Sequence, residues 1–202
     1  PVMGIYSRHD GIHLRAIATA PSEGQGRALI EPLDAQVRRV AAHALWGVDE
    51  ETPESLVAQR LAATGASLGT MEGHTGGLLI KTLASQATMA GRLKGGMVVP
   101  GEELLALHGV PEDQVRQAGP ASAQVAMTMA RAARERLGAD IGLAVTPIAS
   151  EGTGQDPMQT CHIGFELRGR PDSLGLRYPS RLMRIRERVV AQALLELLKR
   201  LG

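Results

Sequence analysis

Residues 71–79 read Met-Glu-Gly-His-Thr-Gly-Gly-Leu-Leu, a turn of small residues that closes an apolar run and opens an apolar helix. That transition commits this part of the chain to an α/β arrangement. In such folds, ligands meet backbone N–H groups at this kind of turn. Its chemical equipment is thin: one hydroxyl, Thr75, one titratable ring, His74, and Glu72 just upstream. Gly76 and Gly77 suit either a phosphate cradle or close helix–strand packing.

The same alternation extends through most of the chain. Helices are expected at 53–64, 76–89, 102–108 and 122–137, with strands at 66–71, 95–99 and 140–146 between them. Two further strands, 160–168 and 173–178, and a helix over 181–201 complete the domain. Asp140-Ile-Gly-Leu-Ala-Val-Thr146 is apolar on both faces and reads as a central strand. Ligands would then collect in the loops that follow Thr70, Val99 and Val145. The last of these, residues 146–157, is rich in glycine and hydroxyls and is expected to be mobile or ordered by ligand.

Ahead of this lies a shorter module. Residues 2–6 and 12–19 form a hairpin around Asp10-Gly11, and a helix runs from Ser22-Glu23 to Trp46-Gly47, kinked or split at Pro32. The acidic run Asp49-Glu50-Glu51 followed by Thr52-Pro53 marks a boundary and a new helix start. The expected domains are residues 1–50 and 51–202.

Composition narrows the functions available. With 202 residues, 44% hydrophobic and 21% charged, the chain can bury one good core or two small ones. No apolar run is long enough to span a bilayer, so no membrane role and a cytoplasmic location are expected. A net charge of +1 and only 2% aromatic residues argue against nucleic acid as a partner. The single cysteine, Cys161, reads as core. The six histidines, at 9, 13, 43, 74, 108 and 162, show no metal-ligand spacing, so no metal is expected.

Three segments carry a family resemblance: Glu72-x-x-Thr75-Gly76-Gly77-Leu78, residues 134–146, and Arg181-x-x-Arg184-Ile-Arg186-Glu-Arg188. Together they resemble the carboxy-terminal domain of CinA-family proteins, over about residues 52–202 in unbroken order. Residues 1–50, notably Asp10-Gly-Ile-His-Leu-Arg15, resemble the KH-like connecting module that precedes this domain, shortened at its N-terminus. The resemblance implies a three-layer α/β/α sandwich with a mixed five-stranded sheet, preceded by a small α+β module. It implies deamidation of nicotinamide mononucleotide to nicotinate mononucleotide plus ammonia, with no cofactor. The expected partners are a pyridine mononucleotide and further copies of the chain.

The chemistry-bearing positions depart from the family's pattern. Gly73 stands where the family has a serine, in Glu-Ser-x-Thr-Gly-Gly. Thr88-Met89-Ala90 replaces Gly-Ser-Ser, and residues 99–104 replace Tyr-Ser-Asn and a lysine base. Thr-Gly-Ile-Ala-Gly-Pro becomes Thr146-Pro147-Ile148-Ala149-Ser150-Glu151. The retained set, Thr75, Gly76, Gly77, Thr146, Thr160 and Arg181, suits binding. A rebuilt active site would draw on Thr88 or Ser85 as nucleophile, Lys94 or Lys81 as base, and His74. The favoured reading is a catalytically silent domain with a binding or assembly role. The alternatives are an active amidohydrolase with a rebuilt site and a structural, dimerising domain.

Overall fold

The computed structural model describes residues 1–152 and 157–202. They form two compact units, Pro1–Glu50 and Glu51–Gly202.

In the first unit, β1 (Val2–Ser7) and β2 (Ile12–Ile17) pair antiparallel, from Val2 opposite Ile17 to Ser7 opposite Ile12. Arg8 N–H donates to the Gly11 carbonyl across the turn. Helix α1 (Glu23–Ala41) starts at Ser22, whose hydroxyl accepts from Gln25 N–H. It runs through Pro32 unsplit and stops earlier than expected. Ala44 and Leu45 N–H turn back to the Ala41 carbonyl, and the Trp46 ring meets His13 edge-on. No residue of α1 is fully buried, and Val2, Ile5 and Ile12 are more than half exposed.

In the second unit, helix α2 (Pro53–Thr64) begins in a reciprocal cap, Thr52 with Ser55, and ends at left-handed Gly65. The sheet that follows is five strands wide, in the order β4 (Leu93–Val98), β3 (Leu68–Glu72), β5 (Ile141–Val145), β7 (Met158–Leu167), β8 (Arg170–Pro179). β3 lies parallel to both β4 and β5, whereas β7 is antiparallel to β5 and β8, so the sheet is mixed. A sixth strand, β6 (Ala149–Glu151), pairs with the Met158 end of β7 on the edge that β5 occupies farther along. β5 and β6 thus form one strand interrupted at residues 146–148. Val145 faces Ile163 but Ala149 faces Thr160, so one residue is extra, the signature of a bulge. Of the 146–157 loop, residues 153–156 lie outside the described residues.

Helices cover both faces. Val57 and Leu61 of α2, Leu79 and Leu83 of α3 (Leu78–Ala84), and Val189, Leu194 and Leu197 of α7 (Ile185–Leu201) pack on Leu68, Leu143, Val145, Ile163 and Phe165. On the other face, Val125 and Met129 of α6 (Ala123–Arg136) pack with Met71 and Ala144. They are joined there by Leu105 of α4 (Glu102–Leu107) and Val115 of α5 (Glu112–Ala118). The three layers agree with the expected sandwich. Helix α3 is shorter than expected because Ser85 donates its hydroxyl to the Thr82 carbonyl, and a 3₁₀ turn, Ala87–Met89, follows.

Helix α6 sits unusually close to the sheet. A Cβ added to Gly142 would lie 1.8 Å from the Ala130 carbonyl oxygen, and one on Gly164 1.9 Å from that of Ala126. At Gly69 the Ala133 carbonyl oxygen would be 2.9 Å away. Glycine on three neighbouring strands lets helix backbone rest on strand backbone.

Candidate functional site

β3 delivers Glu72 to the end of the sheet on the α3 side, fully buried. Its Oε2 accepts from Thr75 Oγ1 at 2.6 Å, Gly77 N at 3.1 Å and Leu79 N at 2.9 Å, and its Oε1 accepts from Ile80 N at 2.8 Å. The left-handed conformations of Gly76 and Gly77, φ +60 and +94, bring the chain round so that the first N–H groups of α3 point at this carboxylate. Glu72 is therefore the cap of α3, filling the place an anion would take. Gly76 N–H donates to the Gly73 carbonyl and Leu78 N–H to that of Thr75. The turn keeps no free N–H from Gly76 to Ile80 for a phosphate. Gly76 and Gly77 thus serve the turn around Glu72, and the Thr75 hydroxyl donates inward.

The bulge after β5 closes the other side. Gly73 N–H donates to the Val145 carbonyl at 2.7 Å and His74 N–H to that of Thr146 at 3.1 Å. The Thr146 hydroxyl accepts from His162 N–H and donates to the Pro147 carbonyl, both at 2.9 Å. A Cβ at Gly73 would lie 2.4 Å from Pro147 N and 2.7 Å from the Thr146 carbonyl carbon. No side chain fits at residue 73 while the Thr146–Pro147 backbone holds this position. Thr146 thus holds the bulge together, its hydroxyl already doubly engaged.

What remains open is a groove of about 340 Å³ lined by Thr75, Gly76, Gly77, Leu78, Lys81, Arg186 and Glu187. It lies where the first turns of α3 and α7 meet. Lys81 and Arg186 bring positive charge to it from the two helices. Beside the groove wall, His74 Nε2 is buried and has no hydrogen-bond partner among the described residues. Burial first, and the Arg186 guanidinium second, push the His74 imidazole below its ordinary value, favouring the neutral ring.

The remaining candidates are dispersed. Thr88 is exposed on the 3₁₀ turn and lines no part of the groove. Lys94 sits at the start of β4, and β4 reaches the level of Glu72 only at Val98, about 13 Å farther along. Its charge acts on Asp140, at the opposite end of the sheet. The structure brings neither Thr88 nor Lys94 to Thr75. Ser85 is exposed and engaged with Thr82. Thr160, opposite Ala149 and Arg177, has a buried Oγ1 with no hydrogen-bond partner among the described residues, and Arg181 is exposed in the turn before α7. Cys161 is core, its thiol pushed up to about 12 by burial. Arg186 was the residue sequence reasoning missed, passing for one cation among many on a solvated helix face.

Comparison with known proteins gives this geometry a family. The family model described as the CinA C-terminal domain matches residues 50–201, and that of the damage-inducible protein CinA KH domain matches residues 1–47. A protein described as competence-damage inducible, from Symbiobacterium thermophilum, is 36% identical over 173 residues, 84% of this chain and 41% of that protein. A CinA-like protein of Gloeobacter violaceus is 33% identical over 205 residues, 99% of this chain and 48% of that protein. The chain therefore spans less than half the length of these curated relatives. Among solved structures, a CinA superfamily protein from Enterobacter cloacae superposes with a TM-score of 0.66 at 23% identity. It covers 78% of this chain and 97% of that one, and shares the fold. Among the described residues no helix is long and apolar enough to cross a membrane. The chain belongs to the CinA family, with a KH module followed by the CinA C-terminal domain.

Proposed function

We propose that this chain is a catalytically silent CinA domain that retains binding of a pyridine mononucleotide in the groove between α3 and α7. Deamidation of nicotinamide mononucleotide, the activity implied by resemblance, requires a nucleophile within hydrogen-bond reach of a base. One observation carries the reading: the only hydroxyl at the turn, Thr75 Oγ1, is buried and donates to a Glu72 carboxylate that is itself buried and committed to three backbone N–H groups of α3, so this pair is structural and closed to substrate, while residue 73 has no room for a side chain. Thr88 and Lys94, the parts of a rebuilt site, are separated from the turn, which weighs against the active alternative. The groove keeps its cations, so binding outlives chemistry in this account.

Calorimetric titration with nicotinamide mononucleotide, with the same samples assayed for ammonia, tests it. Binding without ammonia is expected. Ammonia release that disappears in Thr88→Ala or Lys94→Ala would replace this reading with a rebuilt amidohydrolase. Absence of both heat and ammonia would leave an assembly role.

A further inference from the structure

We propose that the groove is an oxyanion site in which Lys81 and Arg186 hold the phosphate end of the ligand from opposite walls. The proposal rests on the binding reading above and deepens it by naming the end of the ligand that is anchored. Four observations lead there. Lys81 on α3 and Arg186 on α7 both line the groove, and neither makes a side-chain hydrogen bond or ion pair among the described residues. The one carboxylate in the lining, Glu187, receives Arg184 Nε at 3.2 Å, so it is already offset by a cation of its own. The backbone donors of the α3 turn and the Thr75 hydroxyl are spent on Glu72 and on one another, so recognition of charge falls to side-chain cations. The groove's volume, about 340 Å³, falls within the range of small-molecule sites, roughly 300–1,000 Å³.

The chemistry favours a tetrahedral oxyanion. The guanidinium of Arg186 can present two parallel N–H donors, and Lys81 adds a point charge on a flexible stem. Residue 184 is left-handed and provides no side-chain cap for α7, so the positive end of this 17-residue helix adds to the same field. Behind Arg186, the His74 ring responds to that field without lining the groove. Arg186 is the charged group that acts on the ring, Lys81 and Glu187 line the groove itself, and Glu72, two residues upstream, is sealed by its four donors. His162 on the neighbouring strand β7 turns its Nδ1 to the Ala121 carbonyl instead.

The experiment compares three probes by calorimetry: nicotinamide mononucleotide, nicotinamide riboside and inorganic phosphate, each against the unmodified chain, Lys81→Met and Arg186→Met. The mononucleotide should bind roughly tenfold or more tightly than the riboside, and each substitution should weaken mononucleotide and phosphate by about tenfold. Riboside binding should be unchanged by either substitution. Equal affinity for riboside and mononucleotide, or variants that bind both phosphorylated probes normally, overturns the oxyanion site while leaving mononucleotide binding intact. Phosphate binding that both substitutions weaken, with mononucleotide no tighter than phosphate alone, keeps the oxyanion site and removes the mononucleotide. A second readout needs no variant. In saturating sulfate, which does not titrate near neutrality, the His74 ring should take up its proton at higher pH by NMR, because the anion offsets Arg186. A His74 titration indifferent to sulfate counts against the site.

Discussion

Restoring a side chain at residue 73 should fail for a steric reason that a second substitution relieves. In Gly73→Ser the new Cβ would start 2.4 Å from Pro147 N and 2.8 Å from Pro147 Cδ. Ordinary contact needs the two segments to part by about 1 Å. That movement stretches the two bonds that tie them, Gly73 N–H to Val145 and His74 N–H to Thr146. At about 1 kcal/mol net for each bond, and 1–3 kcal/mol for overpacking, the single substitution should cost about 3–5 kcal/mol. For a unit of this size that is a fall in Tm of roughly 6–20 °C. Pro147→Gly alone should cost under about 1 kcal/mol, mainly through a freer unfolded chain. In the double variant Gly73→Ser/Pro147→Gly the penalties should fall short of their sum by at least about 1 kcal/mol, since the Cδ contact is gone and, with φ no longer fixed, the 146–147 backbone that makes the two closest contacts is free to move away. Urea denaturation of the four proteins closes the cycle. Additivity within about 0.5 kcal/mol would refute the interlock between residues 73 and 147.

Glu72→Gln leaves an amide whose single oxygen serves at most three of the four donors, with its NH₂ turned against the fourth; a loss of about 2–4 kcal/mol is expected in urea. An unchanged midpoint would show that α3 is not capped by this carboxylate. Gly142→Ala places a methyl 1.8 Å from the Ala130 carbonyl oxygen and should cost about 3 kcal/mol or more, whereas Gly24→Ala, with open space around it on exposed α1, should be neutral or stabilising. Comparable melting of the two variants would contradict the close seating of α6. Asp140 accepts from Ser67 N–H and from its hydroxyl, which hold its carboxyl below the usual range. Because the folded value is the lower one, this contribution is complete above the ordinary aspartate value of about 3.9 and vanishes as pH falls through the folded value. Asp140→Asn should thus destabilise most at pH 6 and progressively less as pH falls below about 3.9, and an effect independent of pH would exclude the linkage. Cys161, with its thiol at about 12, should resist thiol reagents at pH 8 until urea is added, and prompt labelling of the native protein would contradict its burial.

The parts of the fold legible in sequence were those with local causes. Thr52, Pro53 and Gly65 bound α2 by capping chemistry that needs no tertiary contact, and both ends of α2 match the expected 53–64. The all-apolar stretch before Thr146 announced a central strand, and β5 lies between β3 and β7. Helix α5 was missed because Val115 is its only buried residue, too little for a periodic signal. β6 was missed because three residues carry no alternation, and the bulge that launches it exists only through pairing with β7. At the site, sequence located the turn but not its wiring. Glu72 reaches three to eight residues ahead to cap α3, and Arg186 gains its place only because α7 returns beside α3 from more than 100 residues away.

The glycines under α6 bear on how such a chain drifts. With carbonyl oxygens of the helix seated directly on β3, β5 and β7, sheet and helix behave as one stiff plate, and the strand-end loops hang from its rim. Residues that carry a reaction live on the rim, while those that keep the plate flat live beneath it. Selection can therefore alter the first group without disturbing the second, and residues at the strand ends can change while the same architecture is passed on. Such a plate is a durable mount, indifferent to whether what it displays still reacts.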